Sequence, residues 1–563
     1  MPKVLILAPL LKERGWGEVK KIFWRVKNEI KMKQNLKFSI FILAIGILIT
    51  SCQNHQVQIS GTKKTVSGYY QEQYRPQYHF SPESGWMNDP NGLVYYEGEY
   101  HLFYQYYPDS IVWGPMHWGH AISRDLIRWK HLPVALSPDS LGYIFSGSAV
   151  IDVNNTTGFG SIEKPPMVAI FTYHNPILEK SGSNTFQNQG IAYSLDKGRT
   201  WTKYSGNPVL KNPGIRDFRD PKIFWNPDLK KWELIMAVKD RVHIYSSSDM
   251  KTWTFESEFG KDIGAHEGVW ECPDLFPIKI AGTETVKWVM LVSINPGGPN
   301  GGSATQYFTG NFDGHKFVPD ETEIKWVDWG RDNYAGVTWS NIPATDGRRI
   351  FIGWMSNWDY ANNVPATSWR SASTFPRELE LLSDNGHYFL SSLPISEIDD
   401  LLIKSTTVSI GMQSFNGEKE ISIPNISLMQ CQMLFGFELT SSPSDTIGII
   451  LENTNKEKLI VGYSKTRKQF YVDRRAAGNS SFSKDFERIS TAPYDAGPSL
   501  KLHLLIDASS VEVFVDDGRL VMTNLIFPGE KYTSLKLFSK GGAGLLNKAV
   551  FAGLEGIWQQ TGK

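Results

Sequence analysis

The sequence predicts an all-β protein, a five-bladed β-propeller followed by a second β domain. Three observations lead there. From residue 74 to about 380 the chain reads as short strands separated by Gly, Pro, Asn and Asp, with few long helical periodicities; examples are 99–107, 167–173, 232–238, 286–294 and 349–354. Within this stretch a small pattern recurs. Ser123-Arg124-Asp125 precedes Trp129, Ser194-Leu195-Asp196 precedes Trp201, Ser247-Ser248-Asp249 precedes Trp253, and Asn311-Phe312-Asp313 before Phe317 is a degenerate copy. Repeats of several short strands, each with its own turn and aromatic plug, are the signature of propeller blades, and five fit the available length. After about Leu381, Trp and the Asp-Pro pairs give way to alternating strands such as 502–506, 510–515 and 535–538. In 510–515 the alternation puts Val511, Val513 and Val515 on one side, and Glu512 and Phe514 on the other.

The chain of 563 residues, 41% hydrophobic, is long enough for more than one core. Lys+Arg and Asp+Glu balance at 58 each, which argues against a polyanionic partner such as nucleic acid. Aromatics reach 13%, with 19 Trp, which suits stacking on sugar rings as well as core packing.

Near the N-terminus, Lys33 and Lys37 precede the apolar run 38–49, which ends in Thr50-Ser51-Cys52. A charged flank, a short apolar core and small residues before the break read as an export signal, and the run is too short to prefer a membrane-spanning helix. Cys52 directly after Thr-Ser marks a bacterial lipoprotein processing site, at which Cys52 is lipidated; the alternative is an ordinary signal peptide with an incidental Cys. Met32 is the better start for such a signal. Residues 1–52 are therefore expected to be leader and signal, and 53–73 a tether. Beyond Cys52 only Cys272 and Cys431 exist, too few for a disulfide framework, and no His/Cys spacing resembles a zinc site.

Three acidic motifs stand out: Trp86-Met87-Asn88-Asp89-Pro90-Asn91-Gly92, Phe218-Arg219-Asp220-Pro221 and Trp270-Glu271-Cys272-Pro273-Asp274. Each alone is ordinary, because Asp-Pro and Asn-Gly are common turn dipeptides and Asp220 and Asp274 can cap turns. Together, three separated carboxylates in aromatic surroundings point to glycoside chemistry. A propeller explains the spacing. The innermost strand of each blade lines the axis, so residues from blades one, three and four can meet in one funnel.

In this order the trio resembles glycoside hydrolase family 32, the β-fructosidases that include invertases, inulinases and levanases, from about Tyr74 to near the C-terminus. The segment "SSVEVFVDDG" followed by "NLIFP" resembles the C-terminal β-sandwich of the same family. The resemblance implies a propeller over 74–385 and a sandwich over 386–563, the latter supportive or interfacial. It also implies Asp89 as nucleophile, Glu271 as general acid/base and Asp220 as transition-state stabiliser, with no metal or organic cofactor. Gln105, Trp113, Phe145 and Ser146 match positions that bind the terminal fructose, and Trp86 and Trp354 are expected to add apolar walls. Asn88 is expected to donate to Asp89, and Arg219 to offset crowded negative charge and donate to substrate. Of two close carboxyl groups, the one in the less polar setting holds its proton; Trp270 and Cys272 are expected to supply that setting for Glu271. Glu267 is a rival acid, and Tyr334 and Trp339 are weaker pocket candidates.

Two classes of function follow: an exported, lipid-anchored retaining hydrolase acting on levan, inulin or sucrose, and a non-catalytic fructan-binding lipoprotein. The presence of all three acids favours the first. Fructosyl transfer is a closer rival, since a sugar hydroxyl can intercept the same covalent intermediate. Exo release of fructose is expected, with endo-levanase or endo-inulinase action as the alternative. Motif residues decide neither this nor linkage preference nor oligomeric state.

Overall fold

The computed structural model describes residues 70–558, so the expected signal, Cys52 and most of the expected tether lie outside the described residues. Five four-stranded antiparallel meanders follow one another. Their innermost strands are Gly85–Tyr96, Tyr143–Ile151, Phe218–Asn226, Val269–Lys279 and Tyr334–Thr338. Each packs against the next, and the fifth returns to the first. Ser340 N–H donates to Leu93 O at 2.9 Å and Tyr95 N–H to Ser340 O at 3.0 Å, which closes the ring.

The recurring Ser-x-Asp pattern is one hairpin turn used four times. Ser123, Ser194 and Ser247 each end the third strand of a blade. Their hydroxyls donate to Asp125, Asp196 and Asp249 at 2.9, 2.7 and 3.1 Å. Each aspartate also accepts backbone N–H groups of the turn, such as Arg128 at 2.7 Å and Thr200 and Thr252 at 2.9 Å. Asp313 does the same for His315 and Lys316 in blade four. Such side-chain-to-backbone bonds satisfy a tight turn locally. Blade five turns instead at Asn385-Gly386, both with positive φ (51° and 86°), which is why it carries no copy.

That hairpin also corrects the expected domain boundary. The strands Arg377–Asp384 and His387–Pro394 pair along their whole length as the outer half of blade five, so the blade runs to Pro394 and not 385. The shift in composition near Leu381 marks outer strands with one exposed face, not the end of the domain.

Beyond it, a seven-stranded and a six-stranded sheet face each other over one core that includes Met433, Phe437, Ile449 and Val461. Val511, Val513 and Val515 enter this core, as the alternation predicts. The opposite face of Ser510–Val515 meets the propeller: Phe514 packs with Phe375 and Ile395, and Glu512 lies in a fully buried ionic cluster. Arg377 of blade five binds Glu512 Oε2 and Asp328 Oδ2, the latter at 2.9 Å. His79 bridges Asp507 (2.8 Å) and Glu512 (2.7 Å) through its two ring nitrogens. Facing a carboxylate on each side, both nitrogens must donate, so the ring is an imidazolium. Breaking one member of such a cluster strands a buried charge, at a cost of about 3–5 kcal/mol, which fixes how sandwich and propeller meet.

Candidate active site

All five innermost strands break register with their neighbours at the same level. The irregularities fall between Met87 and Pro90, Ile144 and Gly147, Arg219 and Lys222, Glu271 and Asp274, and Tyr334 and Val337. A bulge bends a strand and re-aims the side chains beside it. Pro90, Pro221 and Pro273 cannot donate to a ladder, and a bulge is where a strand tolerates that. The Asp-Pro and Cys-Pro pairs are therefore bulges within strands, not the turns that their composition suggests. Asp220 (φ 63°), Cys272 (φ 45°) and Ala335 (φ 53°) sit in the left-handed region, which is strained for residues with a side chain and typical of functional sites.

The bulges bring five blades' residues together. Asp89 accepts from Asn88 Nδ2 at 2.9 Å on one oxygen and from Ser146 Oγ at 2.6 Å on the other. Asn88 is oriented for this by Trp86 Nε1, which donates to its Oδ1 at 2.8 Å. Cys272 links two acids: its thiol lies 3.4 Å from Asp89 Oδ2, and its backbone N–H donates to Asp220 Oδ2 at 3.0 Å. Glu271 Oε1 accepts from Arg219 Nε (3.1 Å) and Nη2 (3.0 Å), and Glu271 Oε2 accepts from the Tyr334 hydroxyl. Arg219 Nη1 holds Asp217 at 2.7 Å. Gln105 is fixed by Asn91 Oδ1 (2.7 Å) and Ile144 O (3.1 Å).

Three carboxylates thus share one arginine, Glu271 and Asp217 through hydrogen bonds and Asp220 through its charge. Burial raises Asp89 above the ordinary carboxylate range and the Glu271 charge raises it further, against the donors Ser146, Asn88 and Cys272. Asp220 is pushed up to about 7, chiefly by burial, with Arg219 opposing and Glu271 and Asp89 adding to the rise. Burial also lifts the Cys272 thiol, as do the carboxylates around it, so it remains a neutral donor. The apolar setting expected around Glu271 is absent. Strand alternation turns Trp270 to the other face, where its Nε1 donates to Ala265 O at 2.7 Å, and Glu271 faces Arg219 and Tyr334 instead.

Asp89, Asp217, Arg219, Asp220 and Glu271 line a cavity of about 260 Å³. Trp113, edge-on to Phe145 at 6.0 Å, stands at its rim on the loop between the second and third strands of blade one. Its backbone N–H donates to Asn362 Oδ1 at 2.9 Å, which ties that loop to blade five. On the blade-two side the short helix Pro176–Lys180, capped by Asn175, brings Glu179 to the wall.

Residues 79–392 match the N-terminal domain of glycosyl hydrolases family 32, and residues 397–553 match the family's C-terminal domain. The chain belongs to glycosyl hydrolase family 32. It is 46% identical over 500 residues to a levanase of Bacillus subtilis, spanning 88% of this chain and 72% of that one. With an extracellular exo-inulinase of Aspergillus niger it shares 39% over 506 residues, 84% of this chain and 93% of the other. The crystal structure of exo-inulinase from Aspergillus awamori superposes with a TM-score of 0.79 at 37% identity, covering 87% of this chain and 100% of that one. These findings agree with the family and fold class expected from the motifs.

Of the candidates for this family 32 site, Asn88, Asp89, Gln105, Trp113, Phe145, Ser146, Arg219, Asp220 and Glu271 line the cavity. Trp86 and Trp354 do not. Both are fully buried, and the wall expected of them is provided by Trp358, which stacks on Trp86 at 5.9 Å and leans on Trp354 at 4.8 Å. Trp354 lies within the strand Arg349–Met355, whereas Trp358 follows in a loop, the commoner place for a binding residue. Glu267 is exposed on the loop before its strand and does not reach the cavity. Trp339 is buried elsewhere, bonded to His101 O. His174, Phe186, Gln187 and Asp217 also line the site and have no motif signal.

Proposed function

We propose that the chain is an exported retaining β-fructosidase that removes terminal fructose from fructans. The observation that carries this is the convergence of the three motif carboxylates in a small walled cavity. At about 260 Å³ it is below the range usual for drug-sized ligands and suits one sugar ring at a chain end. The names of the relatives, levanase and exo-inulinase, support the substrate class.

In this reading Asp89, held by Asn88 and Ser146, attacks the anomeric carbon. Glu271 gives its proton to the departing oxygen, and the covalent fructosyl–Asp89 ester is then opened by water that Glu271 deprotonates. Asp220 accepts hydrogen bonds from ring hydroxyls as the oxocarbenium-like state forms. Arg219 and Tyr334 orient Glu271, and Trp358, Trp113 and Phe145 cover the ring. The N-terminal pattern ending in Cys52 supports a lipid anchor after export.

The test is a time course on levan and on inulin with products separated by chain length and an Asp89→Ala control. Fructose alone from the earliest points is expected. A ladder of oligosaccharides would replace exo by endo action, and binding without release would support a non-catalytic protein.

A further inference from the structure

We propose that the opposite end of the propeller axis carries a second binding site, for a neutral oligosaccharide such as a stretch of fructan chain. Asp89, Ser146, Asp220, Glu271 and Tyr334 lie in the first halves of the innermost strands. Farther along, four of those strands, all but Gly85–Tyr96, line a separate cavity of about 570 Å³, through Ile151, Trp225, Asp274 and Thr338 among others. Between the two, Pro90, Gly147, Pro221, Pro273 and Val337 close around a void of about 10 Å³, room for at most one water. The back cavity is therefore no extension of the active site, and it is more than twice as large.

Its chemistry selects the ligand class. Trp225 and Trp288 are only partly buried and line it. Trp225 packs edge-on against Trp232 at 5.1 Å, and Trp288 is braced by Phe224 (5.6 Å) and Phe312 (5.0 Å). Rigid, half-covered indoles are platforms for the C–H faces of sugar rings, and the amides of Asn154 and Asn341 add groups that both donate and accept. The charges cancel. Lys222 pairs with Asp274 at 3.1 Å, and Arg349 and Asp228 contribute one of each sign, so an ionic ligand gains nothing that a neutral one lacks.

An independent pointer lies in Asp274. One of its oxygens accepts from Thr338 N (2.7 Å), Thr338 Oγ1 (2.8 Å) and Lys222. The other, Oδ1, is buried and accepts no hydrogen bond among the described residues. An unpaired carboxylate oxygen is costly, and a hydroxyl-bearing ligand can supply the missing donor. At 570 Å³ the cavity falls within the usual range of small-molecule sites and holds more than one sugar unit.

The experiment is calorimetric titration of the Asp89→Ala protein with an inulin-type tetrasaccharide. Two sites per chain are expected. Adding Val153→Arg, at a lining position 54% exposed where a long side chain fills the cavity without disturbing the core, should leave one, as should Trp225→Ala. In the catalytically intact protein, Val153→Arg should leave sucrose hydrolysis unchanged and raise the half-saturating polymer concentration about tenfold or more, because two-point attachment is lost. A single site that survives Val153→Arg, or two sites that both survive it, overturns the proposal. A single site that Val153→Arg abolishes supports the back site and counts against sugar binding at the catalytic cavity.

Discussion

Arg219 grips one oxygen of Glu271 from two nitrogens, Nε at 3.1 Å and Nη2 at 3.0 Å, across the gap between blades three and four. Glu271, the proposed acid/base, is thus aimed by the residue that precedes Asp220 in sequence. Lys cannot reproduce a two-pronged hold. Arg219→Lys is predicted to lower kcat on sucrose about 100-fold through misplacement of Glu271, with KM little changed. An unchanged kcat in steady-state assays would separate Arg219 from the acid/base.

Asp89→Ala is predicted to reduce turnover by about 10⁴-fold or more, on the scale seen when catalytic nucleophiles are removed. Because burial and the Glu271 charge both disfavour the Asp89 carboxylate, its loss should not lower the melting temperature, and a rise is expected. Calorimetry beside a sucrose assay checks both. Retention of a substantial part of the rate would remove Asp89 from the nucleophile's role.

Glu271→Gln should slow natural substrates far more than β-fructosides with activated leaving groups, which need no proton. It also deletes a negative charge that raises Asp89. The acid limb of kcat/KM, measured on the activated substrate, is therefore predicted to move to lower pH. A limb that stays in place, or equal slowing of both substrates, would contradict the assigned roles.

Trp358→Ala and Trp354→Ala should differ in kind. Losing the cavity wall is predicted to raise KM about tenfold, roughly 1.4 kcal/mol, with the fold intact. Truncating the fully buried Trp354 should instead cost stability of about 3–5 kcal/mol. Unfolding curves and KM values for the two proteins test the distinction.

His79 sets an alkaline limit on stability. Buried between Asp507 and Glu512, its pKa is raised to about 9, where burial alone would lower it and the two carboxylates prevail. The stabilisation is complete below the ordinary value near 6.5 and is lost as pH rises through about 9, an effect of about 3 kcal/mol. Denaturant midpoints should fall across this window in the native protein and stay flatter in His79→Gln. Equal slopes in both would show that the imidazolium is not what links the domains.

Much of this was legible in the sequence because it is local. The Ser-x-Asp turns need no partner outside a few residues, so they announce four blades directly, and the Val511/Val513/Val515 alternation fixes which face of that strand is core. The three acids were also readable, since each bulge carries its own Pro. What escaped depends on packing between distant segments. Trp358 replaces Trp86 and Trp354 at the wall only because strand pleating buries the other two. Trp270 turns away from Glu271 for the same reason, so neighbours in sequence misstated the polarity around the acid. His174, Phe186 and Gln187 reach the site from either end of the blade-two hairpin insert, with no spacing to signal it.

The most direct test of the central assignment is to quench Glu271→Gln during turnover of an activated β-fructoside and map the attached mass by peptide. One fructosyl residue on the peptide that contains Asp89, with β-fructose as the first-released anomer in the native enzyme, is the predicted result. No adduct together with an inverted first product would contradict a retaining mechanism through Asp89.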